Sequence, residues 1–121
     1  MVKVLNTTGL NTQIENIISE AYEKLAIICP YIKLPTRLEN ILLEKQNSDI
    51  EFTVVYGKDY KIDLGLKETI NSFKRSSLLH DKTLHAKIYM NENYTIITSM
   101  NLYYFSQINN YEIGVLIEKN E

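Results

Sequence analysis

LHAKIYMNENYTIIT, residues 84–98, reads as two arms and a turn. In LHAKIYM (84–90) and YTIIT (94–98) the apolar residues recur with the period of two that sends successive side chains to opposite faces of a strand. Between them stand Asn91, Glu92 and Asn93, short polar residues of the kind that close a hairpin loop by bonding to nearby backbone. The stretch predicts a β-hairpin, and its period makes the fold more than a helical bundle.

Upstream the pattern alternates between helix and strand. KVLN (3–6) predicts a short first strand. Thr12-Gln13-Ile14-Glu15 has the form of a capping box, and Ile14, Ile17, Ile18, Ala21, Tyr22 and Leu25 follow at the spacing of one helical face. AIIC (26–29), ended by Pro30, is an uninterrupted apolar run that suits a strand buried on both sides. Thr36-Arg37-Leu38-Glu39 repeats the box form, with Leu38, Ile41 and Leu42 as a second helical face. IEFTVVY (50–56) predicts a strand closed by Gly57, and Leu66, Ile70 and Phe73 mark a third helix. RSSLLHDKT (75–83) reads as a polar connection, with turn chemistry at Asp81-Lys82, and YEIGVLIE (111–118) as a last strand. The expectation is an α/β fold, a mixed sheet flanked by helices on both faces, in a single domain spanning residues 1–121.

Composition narrows the function. The 121 residues suffice for a hydrophobic core, 45% of them are hydrophobic, and Gly and Pro number only 4 and 2. No apolar run approaches a membrane span and MVKVLNTTGLN lacks the form of a secretion signal, so a cytoplasmic protein with no membrane partner is expected. The one cysteine, Cys29, lies in an apolar run as a small buried hydrophobe does, and it excludes disulfides within the chain. A net charge of −2 provides no global attraction to phosphate, so phosphate binding has to be local. Lys33 and Arg37, then Lys58 and Lys61, follow the second and third predicted strands, where open α/β sheets bind ligands. Together they form a candidate cationic rim, although each alone also reads as an ordinary solvated cation.

Two His-x-Lys pairs occur, His80-Asp81-Lys82 and His85-Ala86-Lys87. Positions i and i+2 face the same way on a strand, which favours His85 and Lys87, at the head of the hairpin, as a pair aimed at one phosphate. His80 reads as structural or solvent-exposed. After the hairpin come Ser99 and Asn101, and Glu112 lies in the last strand.

This ordered set, His-x-Lys, hairpin, Ser-x-Asn and a strand bearing Glu, resembles the phospholipase D superfamily. HAKIYMNENYTIITSMNL, AIICPYIK and NNYEIGVLI carry the likeness, which runs over residues 12–118. Two positions depart from the family pattern: Glu92 stands near the place of its Asp in a hairpin one residue shorter, and Thr98 replaces the Gly before Ser. A Cβ at 98 is expected to crowd a phosphate.

The resemblance implies a phospholipase D-like fold and a metal-independent phosphodiesterase without cofactor, acting through a phosphohistidine. His85 would be nucleophile or acid, Lys87 and Asn101 would hold phosphoryl oxygens, Ser99 would donate to phosphate or brace the loop, and Glu112 would orient His85. Such chemistry asks for two histidines, and one motif copy implies a homodimer sharing one site. DNA or RNA is the implied substrate and partner; Tyr103 and Tyr104, with Tyr31 and Tyr56 or Tyr60, are candidate stacking residues, and they read equally as amphipathic cover of the core at the sheet margins. A phosphatidyl-group hydrolase or transferase and a catalytically degenerate phosphate-binding module are the alternatives.

Overall fold

The computed structural model describes residues 1–57, 62–102 and 111–119. Its elements in chain order are β1 (Val2–Asn6), α1 (Thr7–Glu20), β2 (Lys24–Ile28), α2 (Thr36–Glu44), β3 (Glu51–Gly57), α3 (Leu64–Asn71), β4 (Arg75–Asp81), β5 (Ile88–Asn91), β6 (Tyr94–Thr98) and β7 (Ile113–Glu118). The strands form one mixed sheet in the order β1-β7-β6-β5-β2-β3-β4. β2, β3 and β4 are parallel, joined by α2 and α3, and every other pairing is antiparallel.

Successive right-handed crossovers stepping the same way along a sheet leave their helices on the same side. Here α1 packs on α2 and α2 on α3. Among the described residues α1, α2 and α3 therefore form one layer on the same face of the sheet. Alternation along the strands sends Leu25, Ile27, Phe52, Val54, Tyr89, Ile96 and Leu116 into that layer. They meet Leu10, Ile14, Ile17 and Ile18 of α1, Leu38 and Leu42 of α2, and Leu66 and Ile70 of α3, all buried. Each such side chain taken out of water contributes about 1.5–3 kcal/mol, and this face carries most of the fold's apolar stabilisation.

The opposite face holds a continuous row. Val4, Val115, Ile97, Ile88, Ile28, Val55 and Leu79 are directly paired neighbours across all seven strands, every one aliphatic. Val4 is 67%, Leu79 56% and Ile97 50% exposed, so the row is open at both edges and in between.

Three local expectations are corrected. α1 begins at Thr7, because Asn6 caps it by accepting from the Gly9 N–H at 2.9 Å, and Thr12 lies inside the helix with its hydroxyl bonded to Thr8 O. α2 starts after Pro35 with no side-chain cap bond, so Thr36 is its first residue and not its cap. The polar connection at 75–83 contains strand β4, which pairs with β3 from Arg75 to Asp81. As a sheet edge it needs only one buried neighbour and shows no clean apolar alternation.

The hairpin turn forms as its residues predict. Asn91 Oδ1 accepts from Asn93 N and Tyr94 N at 2.8 and 2.9 Å, and its Nδ2 donates to Ile17 O. Beyond β4, the Asp81 carboxylate caps a turn by accepting from Thr83 N and Oγ1. Gly57 lets this turn lie against β3, since a Cβ there would stand 2.8 Å from Leu84 Cβ and 2.9 Å from Asp81 O. His85 follows directly.

Candidate active site

β5, β6 and β7 bring the hairpin's open end beside the carboxyl end of β2. Pairing continues one residue beyond β5, with Thr98 N donating to Lys87 O at 3.1 Å. His85 and Lys87 therefore lead into the strand and do not lie within it, while His80 lies in β4. The strand criterion does not separate the two pairs, and their surroundings differ. His80 is exposed and stacks on Tyr56, with ring centroids 4.7 Å apart, away from any Ser-x-Asn loop. Lys87 is half-buried and close enough to Cys29 for its charge to act on the thiol. His85 is exposed.

The loop after β6 is tightly built. Thr98 Oγ1 donates to Ile113 O at 2.7 Å and accepts from Met100 N at 3.0 Å. Ser99 N donates to the same Ile113 carbonyl, and Ile113 N returns a bond to Ser99 Oγ. Ser99 Oγ in turn donates to Glu112 Oε1 at 2.6 Å. The hydroxyl of Thr7 fixes Glu112 by accepting from its N–H at 2.8 Å. Ser99 and Glu112 thus form one braced unit.

The Thr98 side chain lies over Gly114, its direct cross-strand partner, and a Cβ on Gly114 would stand 2.7 Å from Thr98 Cβ. Gly114 thus leaves room for the Thr98 side chain, and Thr98 shapes the turn that presents Ser99 and Asn101.

Asn101 Oδ1 lies 3.3 Å from Cys29 Sγ, which also has Tyr31 O at 3.1 Å and accepts from Leu102 N at 3.2 Å. Burial pushes the Cys29 thiol up, against the opposing influence of its polar neighbours Tyr89, Leu102 and Tyr31 and the nearby Lys87 charge. Tyr89 is fully buried, donates to Met100 O at 2.7 Å and is pushed well above the usual tyrosine value, first by burial and then by Cys29 and Glu112. Asn101 thereby touches a buried polar pair of Cys29 and Tyr89, which also feels the charges of Lys87 and Glu112. Neither Cys29 nor Tyr89 was assigned a role in the site from sequence; the apolar context of both masked it.

Of the cationic rim, Lys33 is exposed and attached to the loop by its N–H, which donates to Leu102 O at 2.8 Å. Arg37 is turned to α1, where its guanidinium pairs with Glu15 at 2.8 Å. Lys58 and Lys61 lie outside the described residues, as do Tyr60, Tyr103 and Tyr104. The Glu92 carboxylate is remote from this cluster. It accepts from Tyr22 N and Glu23 N at 3.1 Å and Lys24 N at 3.3 Å, at the connection between α1 and β2. A groove of about 800 Å³ lies at that same far end, lined by Tyr22, Lys24, Lys45, Asp49 and Arg75 among others. Among the described residues no cluster of three His, Cys, Asp or Glu side chains suits a metal ion, and no helix is long and apolar enough to cross a membrane.

Residues 14–121 match the family model described as cardiolipin synthase, PLD-like domain. No curated protein matches the chain. Among solved structures it is similar to the phospholipase D family member Nuc from Salmonella typhimurium, with TM-score 0.77 and 15% identity over 98% of this chain and 83% of Nuc. NucT from Helicobacter pylori gives 0.73 and 13% identity, covering 96% of this chain and 85% of NucT. The archaeal chromatin protein TrmBL2, which binds DNA, gives 0.63 and 13% identity over 98% of this chain and 45% of its own.

Proposed function

Since the chain belongs to the phospholipase D-like family whose model covers residues 14–121, we propose that it is a metal-independent phosphodiesterase acting on DNA or RNA at a site shared by two copies of the chain. The observation that carries this reading is the convergence of Lys87, Ser99, Asn101 and Glu112 on one end of the hairpin, with His85 two residues before Lys87. His85 of one copy attacks phosphorus, a P–N bond forms, and the P–O bond to the leaving alcohol breaks. His85 of the partner subunit gives that oxygen its proton. Water then cleaves the P–N bond and releases the phosphate monoester. Lys87 supplies a point charge and Asn101 amide hydrogens to the equatorial oxygens, where negative charge must be held in the transition state. Glu112 acts through Ser99, holding the hydroxyl and the loop.

Nucleic acid is favoured because Lys33 borders the loop and the similar TrmBL2 is a DNA-binding protein. Phosphatidyl-group transfer is the second reading, favoured by the family's description as a cardiolipin synthase domain. A catalytically inert phosphate-binding module is the third outcome.

The test measures cleavage of single-stranded DNA, single-stranded RNA and phosphatidylglycerol vesicles in excess EDTA. Oligonucleotide cleavage that survives EDTA, is abolished by His85→Ala and is largely retained by His80→Ala is the expected result. Equal loss from both substitutions overturns the choice of His85, turnover of vesicles alone establishes the lipid reading, and turnover of neither leaves the binding module.

A further inference from the structure

Beneath the candidate site is a buried polar pair whose chemistry the proposed reaction does not yet use. Tyr89 Oη has two neighbours, Met100 O at 2.7 Å and Cys29 Sγ at 3.4 Å, and the nearer carbonyl takes its single proton. Sγ accepts the Leu102 N–H at 3.2 Å. The thiol keeps one proton of its own, which Tyr31 O and Asn101 Oδ1 share in a three-centre bond at 3.1 and 3.3 Å. Burial keeps that thiol protonated, and so a donor.

An asparagine amide has a donor end and an acceptor end of nearly equal size, and only the donor end is useful against a phosphate. With Oδ1 toward a protonated thiol, both Nδ2 hydrogens are left for the ligand. Turned over, the amide would present lone pairs to the phosphate oxygens. The loop itself is held from below at Met100 O by Tyr89 and at Leu102 N by Cys29, on either side of Asn101.

Resting on the phosphodiester reading above, we propose that Cys29, supported by Tyr89, is a positioning residue that sets the amide of Asn101 donor-outward for the phosphate. Serine keeps an O–H donor at the same place, whereas alanine removes it.

The experiment measures tungstate affinity of the full chain by calorimetry, as a phosphate mimic independent of turnover, for wild type, Cys29→Ala, Cys29→Ser, Asn101→Ala and the double variant Cys29→Ala/Asn101→Ala. Loss of one buried hydrogen bond predicts an affinity about fivefold weaker for Cys29→Ala. Cys29→Ser should recover to within about twofold, and the double variant should bind as Asn101→Ala does, because the thiol acts through the amide. Unchanged affinity in Cys29→Ala, no recovery with serine in a folded protein, or additive losses in the double variant each overturn the inference. Tyr89→Phe, which removes one oxygen from an intact ring, supplies a second variant should alanine at 29 unfold the chain. It should weaken tungstate binding only while Asn101 is present, and a loss of equal size in the Asn101→Ala background overturns the inference. A wild type that binds no tungstate overturns the phosphate site and this inference together, which separates failure of the reading from failure of the positioning role.

Discussion

At the scale of single residues, the most informative position is Thr98. It breaks the family pattern at the glycine before the motif serine, and yet the loop is intact because Gly114 stands opposite it. The pair predicts a dependence that neither residue shows alone. Gly114→Ala would force a Cβ to 2.7 Å from Thr98 Cβ and 2.6 Å from Leu10 Cδ2. The leucine methyl can swing aside, whereas Thr98 is held by bonds to Ile113 O and Met100 N. Gly114→Ala should cost about 1–3 kcal/mol in urea denaturation, and Thr98→Gly in the same chain should restore part of it. No recovery would mean that Leu10, and not Thr98, sets the clearance.

Between residues and the whole stands the hairpin of β5 and β6, whose two ends do different work. The open end carries Lys87 and the Ser99 loop, and the closed end is tied down by Glu92. Burial disfavours charge on this carboxylate, but the N–H groups of Glu92 itself, Glu23, Tyr22 and Lys24 outweigh it and hold its pKa below the ordinary carboxylate value. A group whose folded pKa is lowered stabilises the fold fully above its unfolded pKa, about 4.3 for Glu, and that contribution disappears as pH falls through the folded value. Glu92→Gln keeps one acceptor oxygen and loses the charge. It should lower stability by about 1 kcal/mol at pH 7, and the gap to wild type should close as the pH is taken below about 4.3. A gap constant from pH 7 to pH 3 would show that the charge is not what binds the turn. The near-match to the family's Asp is thus an anchor for the hairpin, at the end away from the candidate chemistry.

At the scale of the whole molecule, one face of the sheet stands open among the described residues. Seven paired aliphatic side chains from Val4 to Leu79 run across it, on strands that lead to Lys87, Thr98 and Ile113 beside the site. An exposed apolar row next to the candidate site supports the proposed dimer. Refolding an equal mixture of wild type and His85→Ala pairs subunits at random, so about a quarter of dimers are wholly wild type. Activity should fall to about a quarter of that of the same total protein as wild type, whereas sites complete within one chain would give about a half. Ile97→Lys should separate the subunits in sedimentation and remove activity together, and an active monomer would end the shared-site model.

Sequence and tertiary structure contributed different things because they act over different ranges. Local alternation in 84–98 and the turn chemistry at 91–93 determined the hairpin, and helical spacing determined α1, α2 and α3, since each depends only on neighbours within a turn or a strand. The order His85, Lys87, Ser99, Asn101, Glu112 was legible for the same reason: a motif is a linear pattern. The start of α1 was misplaced because Asn6 and Thr12 both have capping chemistry, and only the packed chain chose between them. β4 was invisible because an edge strand draws its order from hydrogen bonds to β3, contacts that no periodicity records. Long-range pairing alone placed Gly114 under Thr98, Glu15 on Arg37 and Cys29 against Asn101. The sequence supplied the residues of a phosphate site; which of them touch, and which are already occupied elsewhere, was decided by a fold that joins positions more than seventy residues apart.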